Sequence, residues 1–154
     1  MEKLILKDRT IWIGVSEVAF GDTIEDAEPI LEDKTLAKGE TFIRLGKYEF
    51  FEKPFQVTVS FQLGRLNELI LTPSYDEFFD SRGWKDRSRK HAFREMFPMV
   101  VYFLEKEYGY PAREYVSLDH KTEIKSLEYK TEHFVVMVIN DPNKYAFRIE
   151  IKGV

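Results

Sequence analysis

The chain has 154 residues, carries 23 Lys and Arg against 27 Asp and Glu, and contains no cysteine. Its length is typical of one domain, and without cysteine it has no disulfides, no thiolate metal ligands and no thiol nucleophile. The formal net charge of −4 argues against broad electrostatic binding to nucleic acid, which usually needs a basic domain.

The N-terminal region predicts neither secretion nor membrane insertion. Its apolar run, Leu4-Ile5-Leu6, is too short for a signal-peptide core or a membrane span. A chain without cysteine also suits a reducing compartment. We therefore expect a cytoplasmic protein that has no membrane contact.

Strand and helix patterns begin after residue 9. The β-branched and aromatic run at 10–15 predicts a strand or a strand pair. Residues 24–31 place apolar side chains at helical spacing after a Gly-Asp-Thr segment that offers a cap, so they predict a short helix. Because Pro29 removes a helix hydrogen bond, this helix is expected to be short, to be kinked, or to begin at Pro29 itself.

Three strands are predicted next, at 41–50, 55–63 and 66–72. In the second, apolar and polar residues alternate at the period of two that places neighbouring side chains on opposite faces of a sheet. The residues expected on the core face are Phe55, Val57, Val59 and Phe61, and those expected to face solvent are Gln56, Thr58 and Ser60. The tight connection at 63–65 predicts a hairpin.

The second half of the chain begins with the strongest helical pattern, over residues 88–108. Its apolar residues recur at i, i+3 and i+4, and they are Phe93, Met96, Phe97, Val100, Val101 and Leu104. We interpret this stripe as core packing, with a kink at Pro98 and a helix end at Gly109.

Four strands are then predicted at 113–118, 124–129, 134–140 and 145–152. A turn at 141–144 joins the last two strands into a second hairpin. In the last strand, the residues expected on the core face are Tyr145, Phe147, Ile149 and Ile151.

A helix followed by strands therefore occurs twice, which predicts an α+β fold. We expect a mostly antiparallel sheet of about six to eight strands, built of two helix-then-strands units, with one long and one short helix packed on one face. The chain is expected to be a single domain, 1–154. A further possibility is that this domain consists of two similar halves, about 1–75 and 85–154, that share one core.

Over most of the chain this order of a helix followed by strands resembles the tandem arrangement of the β-lactamase-inhibitor proteins. Those secreted inhibitors carry disulfides and this chain has none, and no residue of that family is carried over.

Catalytic and cofactor motifs are absent from the sequence. The three histidines, His91, His120 and His133, include no pair at the i, i+4 spacing of a helical zinc site, so no metal is predicted. Neither a P-loop nor a dinucleotide-binding fingerprint occurs, and residues 14–18 depart from a nucleophile elbow. We expect no cofactor, and the balance favours a protein that is not an enzyme.

One basic segment, residues 82–94, is the candidate binding site. The residues that form it are Arg82, Trp84, Lys85, Arg87, Arg89, Lys90 and Arg94. Positive charge at a helix N-terminus opposes the helix dipole and needs compensation. That compensation has three possible sources: acidic residues of the same chain, such as those of 76–80, an acidic protein partner, or a nucleic acid or phosphate group.

The leading functional hypothesis is a small cytoplasmic protein-binding module that acts by occlusion, like the immunity proteins and inhibitors that neutralise a cognate partner. Such a protein needs only a rigid surface with complementary charge and a few aromatic anchors. The alternative is an enzyme or small-ligand-binding protein with a pocket between helix and sheet.

Overall fold

The protein, seen in a computed structural model that describes residues 1–31, 42–74 and 89–154, is an α+β protein. Three short strands near the N-terminus form a small sheet: β1 Leu4–Lys7, β2 Thr10–Ile13 and β3 Ser16–Val18. Seven strands form the main sheet: β4 Phe42–Phe50, β5 Lys53–Gln62, β6 Arg65–Pro73, β7 Arg113–Asp119, β8 Thr122–Lys130, β9 Phe134–Asp141 and β10 Ala146–Gly153. The described helices are α1 Glu28–Leu31 and α2 Arg89–Tyr108.

The main sheet has the strand order β4-β5-β6-β10-β9-β8-β7, and each neighbouring pair is antiparallel. Two meanders, β4 to β6 and β7 to β10, therefore meet where β10 pairs with β6, with Ile149 opposite Leu71. The prediction of an α+β fold with a mostly antiparallel sheet is confirmed.

Turn chemistry explains both predicted hairpins. Between β5 and β6, Leu63 and Gly64 have φ angles of 52° and 75°. Two consecutive residues in the left-handed region are the geometry of a type I′ turn, whose twist matches that of the flanking strands. Between β9 and β10, the Asn143 backbone N–H donates to the Asp141 carboxylate over 3.1 Å, which holds the second turn.

The core lies on one face of the main sheet. Phe55, Val57 and Val59 of β5 are completely buried, as their alternation predicts. Ser60, which was expected to face solvent, is only 7% exposed. The pairing of β5 with β6 shifts register between Ser60 and Phe61, and a bulge of this kind redirects the local backbone. The prediction for Ser60 is therefore wrong.

Helix α2 covers the core face and contacts β8 and β10. Its buried residues are Ala92, Phe93, Met96, Val100 and Leu104, close to the predicted stripe, whereas Phe97 and Val101 are half-buried. Pro98 lies inside the helix on its exposed side, and the helix continues through it. Within the described ranges, no helix is both long and apolar enough to cross a membrane.

Helix α1 begins later than predicted, and a turn that carries reciprocal capping hydrogen bonds precedes it. The Thr23 hydroxyl accepts a hydrogen bond from the Asp26 N–H over 3.2 Å, and the Asp26 carboxylate accepts one from the Thr23 N–H over 3.4 Å. Among the described residues the helix covers Glu28–Leu31, so Pro29 stands in its first turn, where proline is tolerated. This short helix contacts β3 and β4.

Candidate protein-binding surfaces

The basic segment predicted from the sequence is described only in part. Arg82, Trp84, Lys85 and Arg87 lie outside the described residues. Arg89, Lys90 and Arg94 lie in the first turns of α2, where the first turn contains no acidic residue. Arg94 is exposed and Lys90 is half-buried.

A tyrosine that was expected in the core lies beside these cations instead. Tyr145 precedes β10, which begins at Ala146, and the residue is 36% exposed. The Lys90 ammonium nitrogen lies 5.8 Å from the centroid of the Tyr145 ring, within the distance of a cation–π contact. Because Lys90 and Arg94 are four residues apart on α2, they are neighbours on the helix surface. We call Lys90, Arg94 and Tyr145 the α2-start surface.

The backbone of Tyr145 explains why its side chain leaves the core face. Its φ angle is 46°, in the left-handed region, and its N–H donates to the Pro142 carbonyl oxygen over 3.3 Å. A bulky residue in this region is an outlier that costs free energy. The turn that begins at Asp141 therefore extends one residue further than the alternation in the sequence indicates, and the ring points to the helix start.

A chain of aromatic contacts holds the Tyr145 ring in place. The ring centroids of Tyr145 and Phe93 are 6.4 Å apart at 60°, and Phe93 stacks on Phe97 at 5.4 Å and 8°. Phe97 then contacts the buried Phe147 of β10 at 5.4 Å and 58°. The exposed tyrosine is thus joined to the core, so little conformational entropy is left to lose when a partner covers it.

The positive charges of the α2-start surface have no acidic partner in the part of the chain that the structure describes. Neither Lys90 nor Arg94 forms an ion pair there; the ion pairs of the main sheet are elsewhere, such as Lys125–Glu114 at 3.6 Å and Lys152–Glu68 at 3.1 Å. The acidic residues of 76–80, named above as possible partners, lie outside the described residues.

A second surface, strand β7, was not identified from the sequence. Strand β7 forms one edge of the main sheet, and all seven of its residues are exposed. Tyr115, Val116 and Leu118 are 43%, 54% and 73% exposed. Alternation alone places Val116 and Leu118 on the core face, so the sequence carried no signal that the edge strand extends beyond the core.

Arg113 begins β7 beside two groups that stabilise its charge. A side-chain hydrogen bond with Tyr115, with additional negative charge from Glu128, raises the pKa of the Arg113 guanidinium above its usual value. Arg113 lies opposite Glu128 in the pairing of β7 with β8. Arg113 and Tyr115 therefore form one polar cluster on a single face of the edge strand.

The histidines lie on three different elements. His91 is exposed on α2. His120 lies in the turn after β7, with Nε2 3.6 Å from the Asp119 carboxylate, and His133 lies before β9, with Nε2 3.8 Å from the Glu132 carboxylate. Across residues 1–31, 42–74 and 89–154, no group of three or more potential metal-ligating side chains comes together.

Open cavities lie beside the small N-terminal sheet in the described part of the chain. One, of about 280 Å³, is lined by residues 3–6 and 49–52 together with Glu107 and Tyr108. Burial, with Glu107 nearby, raises the pKa of Tyr108 to about 12. Another, of about 470 Å³, is lined by residues that include Phe20 and His133.

Comparisons with protein-family models, with curated proteins and with solved structures found no match.

Proposed function

We propose that this chain is a protein-binding module that acts by occlusion, and that its partner presents an acidic surface to the α2-start surface. The observation that supports this proposal is the contact of Lys90 with the Tyr145 ring, next to the exposed Arg94. Binding hot spots of proteins are enriched in tyrosine and arginine. The α2-start surface contains one of each, together with the ammonium group of Lys90.

The electrostatics of α2 indicate the sign of the partner. Cations in the first turns of a helix oppose the positive end of its dipole. A carboxylate group from another protein would lie close to these cations and to the helix N-terminus, and both interactions would be favourable. An acidic partner is therefore favoured over a basic or a neutral one.

The same proposal includes the role of the protein in the cell. We infer an immunity-type or inhibitor-type protein of the cytoplasm, which needs neither a cofactor nor a metal to act. The alternative, an enzyme or small-ligand-binding protein with a pocket between helix and sheet, stays a prediction. The middle of α2 packs on the sheet through side chains such as Met96, Leu104 and Tyr129, each without solvent exposure, and the cavity of about 280 Å³ reaches only the last turn of the helix, at Glu107 and Tyr108. This packing favours the binding module.

We further propose that residues 1–75 and 85–154 are two similar helix-then-strands units that share one core. The contiguity of each meander in the sheet supports this organisation. Each half expressed alone should then fail to unfold cooperatively, because it would expose the apolar face that the other half covers. A cooperative melting transition for either isolated half would contradict a shared core.

Binding can be tested with charge-reversal variants after the partner is identified by copurification from the native host. Replacing Lys90 and Arg94 together by Glu should weaken binding at low salt, and the loss should shrink as salt is raised, because the attraction of exposed charges is screened. The matched control reverses two exposed cations of β8 and its turn, Lys121 and Lys130, and changes the net charge equally. Equal weakening by both pairs of substitutions would reject the α2-start surface.

The tyrosine offers a separate test. Tyr145→Asn keeps a residue type that tolerates the left-handed region but removes the aromatic ring. We expect the melting temperature to change little and the affinity to fall by roughly the 2 kcal/mol or more that defines a hot spot. An unchanged affinity would exclude Tyr145 from the interface.

A further inference from the structure

The two edges of the main sheet are protected differently. The edge strand β4 has a bulge between Arg44 and Gly46 and forms a bridge to the small sheet through Glu49 and Lys3. Bulges, cationic residues and covering segments are the usual means by which proteins prevent an edge strand from pairing with another chain. Strand β4 therefore carries several of these protections.

Strand β7 has fewer of them. It contains neither lysine nor proline, its one cationic residue is Arg113 at the first position, and its register with β8 is continuous from Arg113 to Asp119. Within the part of the chain that the structure describes, β8 is its only neighbour. The backbone N–H and C=O groups on its other side are therefore available to a further strand, and the exposed Val116 and Leu118 stand beside them.

The sequence of β7 is complementary to itself when two copies run antiparallel. A two-fold axis perpendicular to the sheet keeps each residue on its own face, so it pairs residues of the same parity. With the axis at Val116, all seven residues overlap, and Arg113 of each strand lies opposite Asp119 of the other. Shifting the register by two residues in either direction shortens the overlap to five residues and separates these opposite charges.

We propose that β7 pairs with β7 of a second copy of this chain, antiparallel and about a two-fold axis at Val116, to form one continuous fourteen-stranded sheet. The fourteen strands are twice the seven of the main sheet. This interface uses none of the residues of the α2-start surface, so it is independent of the partner proposed above.

Three interactions stabilise this dimer. The backbone hydrogen bonds of the two edges satisfy each other, as they do in strand addition. The two Val116 side chains meet at the axis and shield each other from water, with Leu118 of each copy on the same face. On the opposite face, Arg113 and Asp119 form two symmetry-related cross-strand pairs, next to the Tyr115 rings.

The absence of cysteine makes disulfide cross-linking a direct test of the register. Residues directly opposite in an antiparallel pair have Cα atoms about 4.5–5.5 Å apart, within the range of a disulfide. Val116→Cys should therefore form a covalent dimer under mild oxidation. Leu118→Cys is the control. Leu118 lies on the same face as Val116 and is more exposed, but in the proposed register the Leu118 residues of the two strands are four residues apart along the strand direction. Cross-linking of Leu118→Cys as fast as that of Val116→Cys would overturn the proposal.

Sedimentation velocity over a range of protein concentrations tests whether the dimer forms without a disulfide cross-link. The unmodified protein should show a concentration-dependent dimer, and Val116→Lys should be monomeric because two ammonium groups would meet at the axis. Val15→Lys, at an exposed valine in the turn between β2 and β3, should dimerise normally. An unmodified protein that is monomeric at every concentration would overturn the proposal.

Charge exchange tests the specific pairs. Arg113→Asp alone and Asp119→Arg alone should each weaken the dimer about tenfold, because two attractive cross-strand pairs become repulsive. The double variant, Arg113→Asp with Asp119→Arg, should restore the original affinity. If the double variant is as weak as the single ones, Arg113 and Asp119 are not opposite each other, and the register is wrong.

Discussion

The rings of Phe97 on α2 and Phe147 on β10 contact each other with their centroids 5.4 Å apart. Phe147 also contacts Phe55 of β5 at 6.3 Å, with the rings nearly perpendicular at 75°. One buried side chain therefore links the long helix with strands from both meanders. Edge-to-face pairs of this kind add about 0.5–1.5 kcal/mol each beyond the free energy of burial, so the fold should be especially sensitive at Phe147.

The first prediction is that charge on the core face abolishes cooperative unfolding. Phe147→Asp and Val57→Asp each place an unpaired carboxylate at a site that is 3% or 0% exposed. The cost is several kcal/mol, against a total stability of roughly 5–15 kcal/mol. Thermal unfolding followed by circular dichroism should show no cooperative transition for either variant.

Thr58→Asp is the matched control, because Thr58 neighbours Val57 on β5 but points to the other face and is half-buried. Its expected cost is about 1 kcal/mol. Equal loss of melting temperature in the Thr58 and Val57 variants would show that the assignment of the two faces is wrong.

The second prediction concerns the phenol of Tyr129 on β8. The residue has no solvent exposure, and its hydroxyl has no hydrogen-bond partner among the described residues. Because an unsatisfied buried hydroxyl is destabilising, Tyr129→Phe should raise the free energy of unfolding by about 1 kcal/mol. Tyr102→Phe, at a tyrosine that is 60% exposed, should have no effect in the same urea titration. A less stable Tyr129→Phe variant would show that the hydroxyl makes a favourable contact.

The third prediction is a loss of stability at alkaline pH. Burial, with Glu105 nearby, raises the pKa of Tyr129 to about 12, and burial together with Glu107 raises that of Tyr108 to about 12. A pKa raised above the usual value of about 10 means that the folded state holds the phenol proton more tightly than the unfolded state does. This contribution to stability is fully present below pH about 10 and is lost as the pH rises through about 12.

The measurement is the melting temperature as a function of pH. It is compared between the unmodified protein and a double variant that carries both Tyr129→Phe and Tyr108→Phe. The double variant lacks both phenols, so its melting temperature should fall less between pH 10 and pH 12. Parallel curves for the two proteins would contradict the role of these tyrosines.

The fourth prediction is that the histidines bind no metal. His91→Ala, His120→Ala and His133→Ala should leave the metal content and the melting temperature of the purified protein unchanged, because the three residues lie on separate elements. Stoichiometric zinc or iron, measured by elemental analysis and lost in one of these variants, would refute the prediction.

Local patterns in the sequence were sufficient to locate most of the described secondary structure. The alternation around Val57 predicted a strand at 55–63, and β5 covers Lys53–Gln62. The apolar stripe predicted a helix at 88–108, and α2 covers Arg89–Tyr108. These patterns work because a side chain's face follows from the helix or strand period and needs no information about distant residues.

Local patterns failed where a turn or bulge interrupts that period. The left-handed backbone of Tyr145 turns its ring out of the face that the alternation predicts, and the bulge beside Ser60 leaves a polar side chain buried. In both cases the conformation of one or two residues changed the exposure of one side chain, whereas Phe61 and Phe147, the next residues predicted for the core face, stay buried. Such conformations depend on the pairing of the strands.

The sequence alone determined the class of the protein: its α+β composition, its hairpins, its long helix, and the lack of cysteine and of a recognisable catalytic motif. Only the tertiary structure decided that β7 is an edge of the sheet and that Tyr145 lies against Lys90. The physical reason is that period and propensity act over a few residues, whereas strand order and the contact of a turn with a helix join residues that are far apart in the chain.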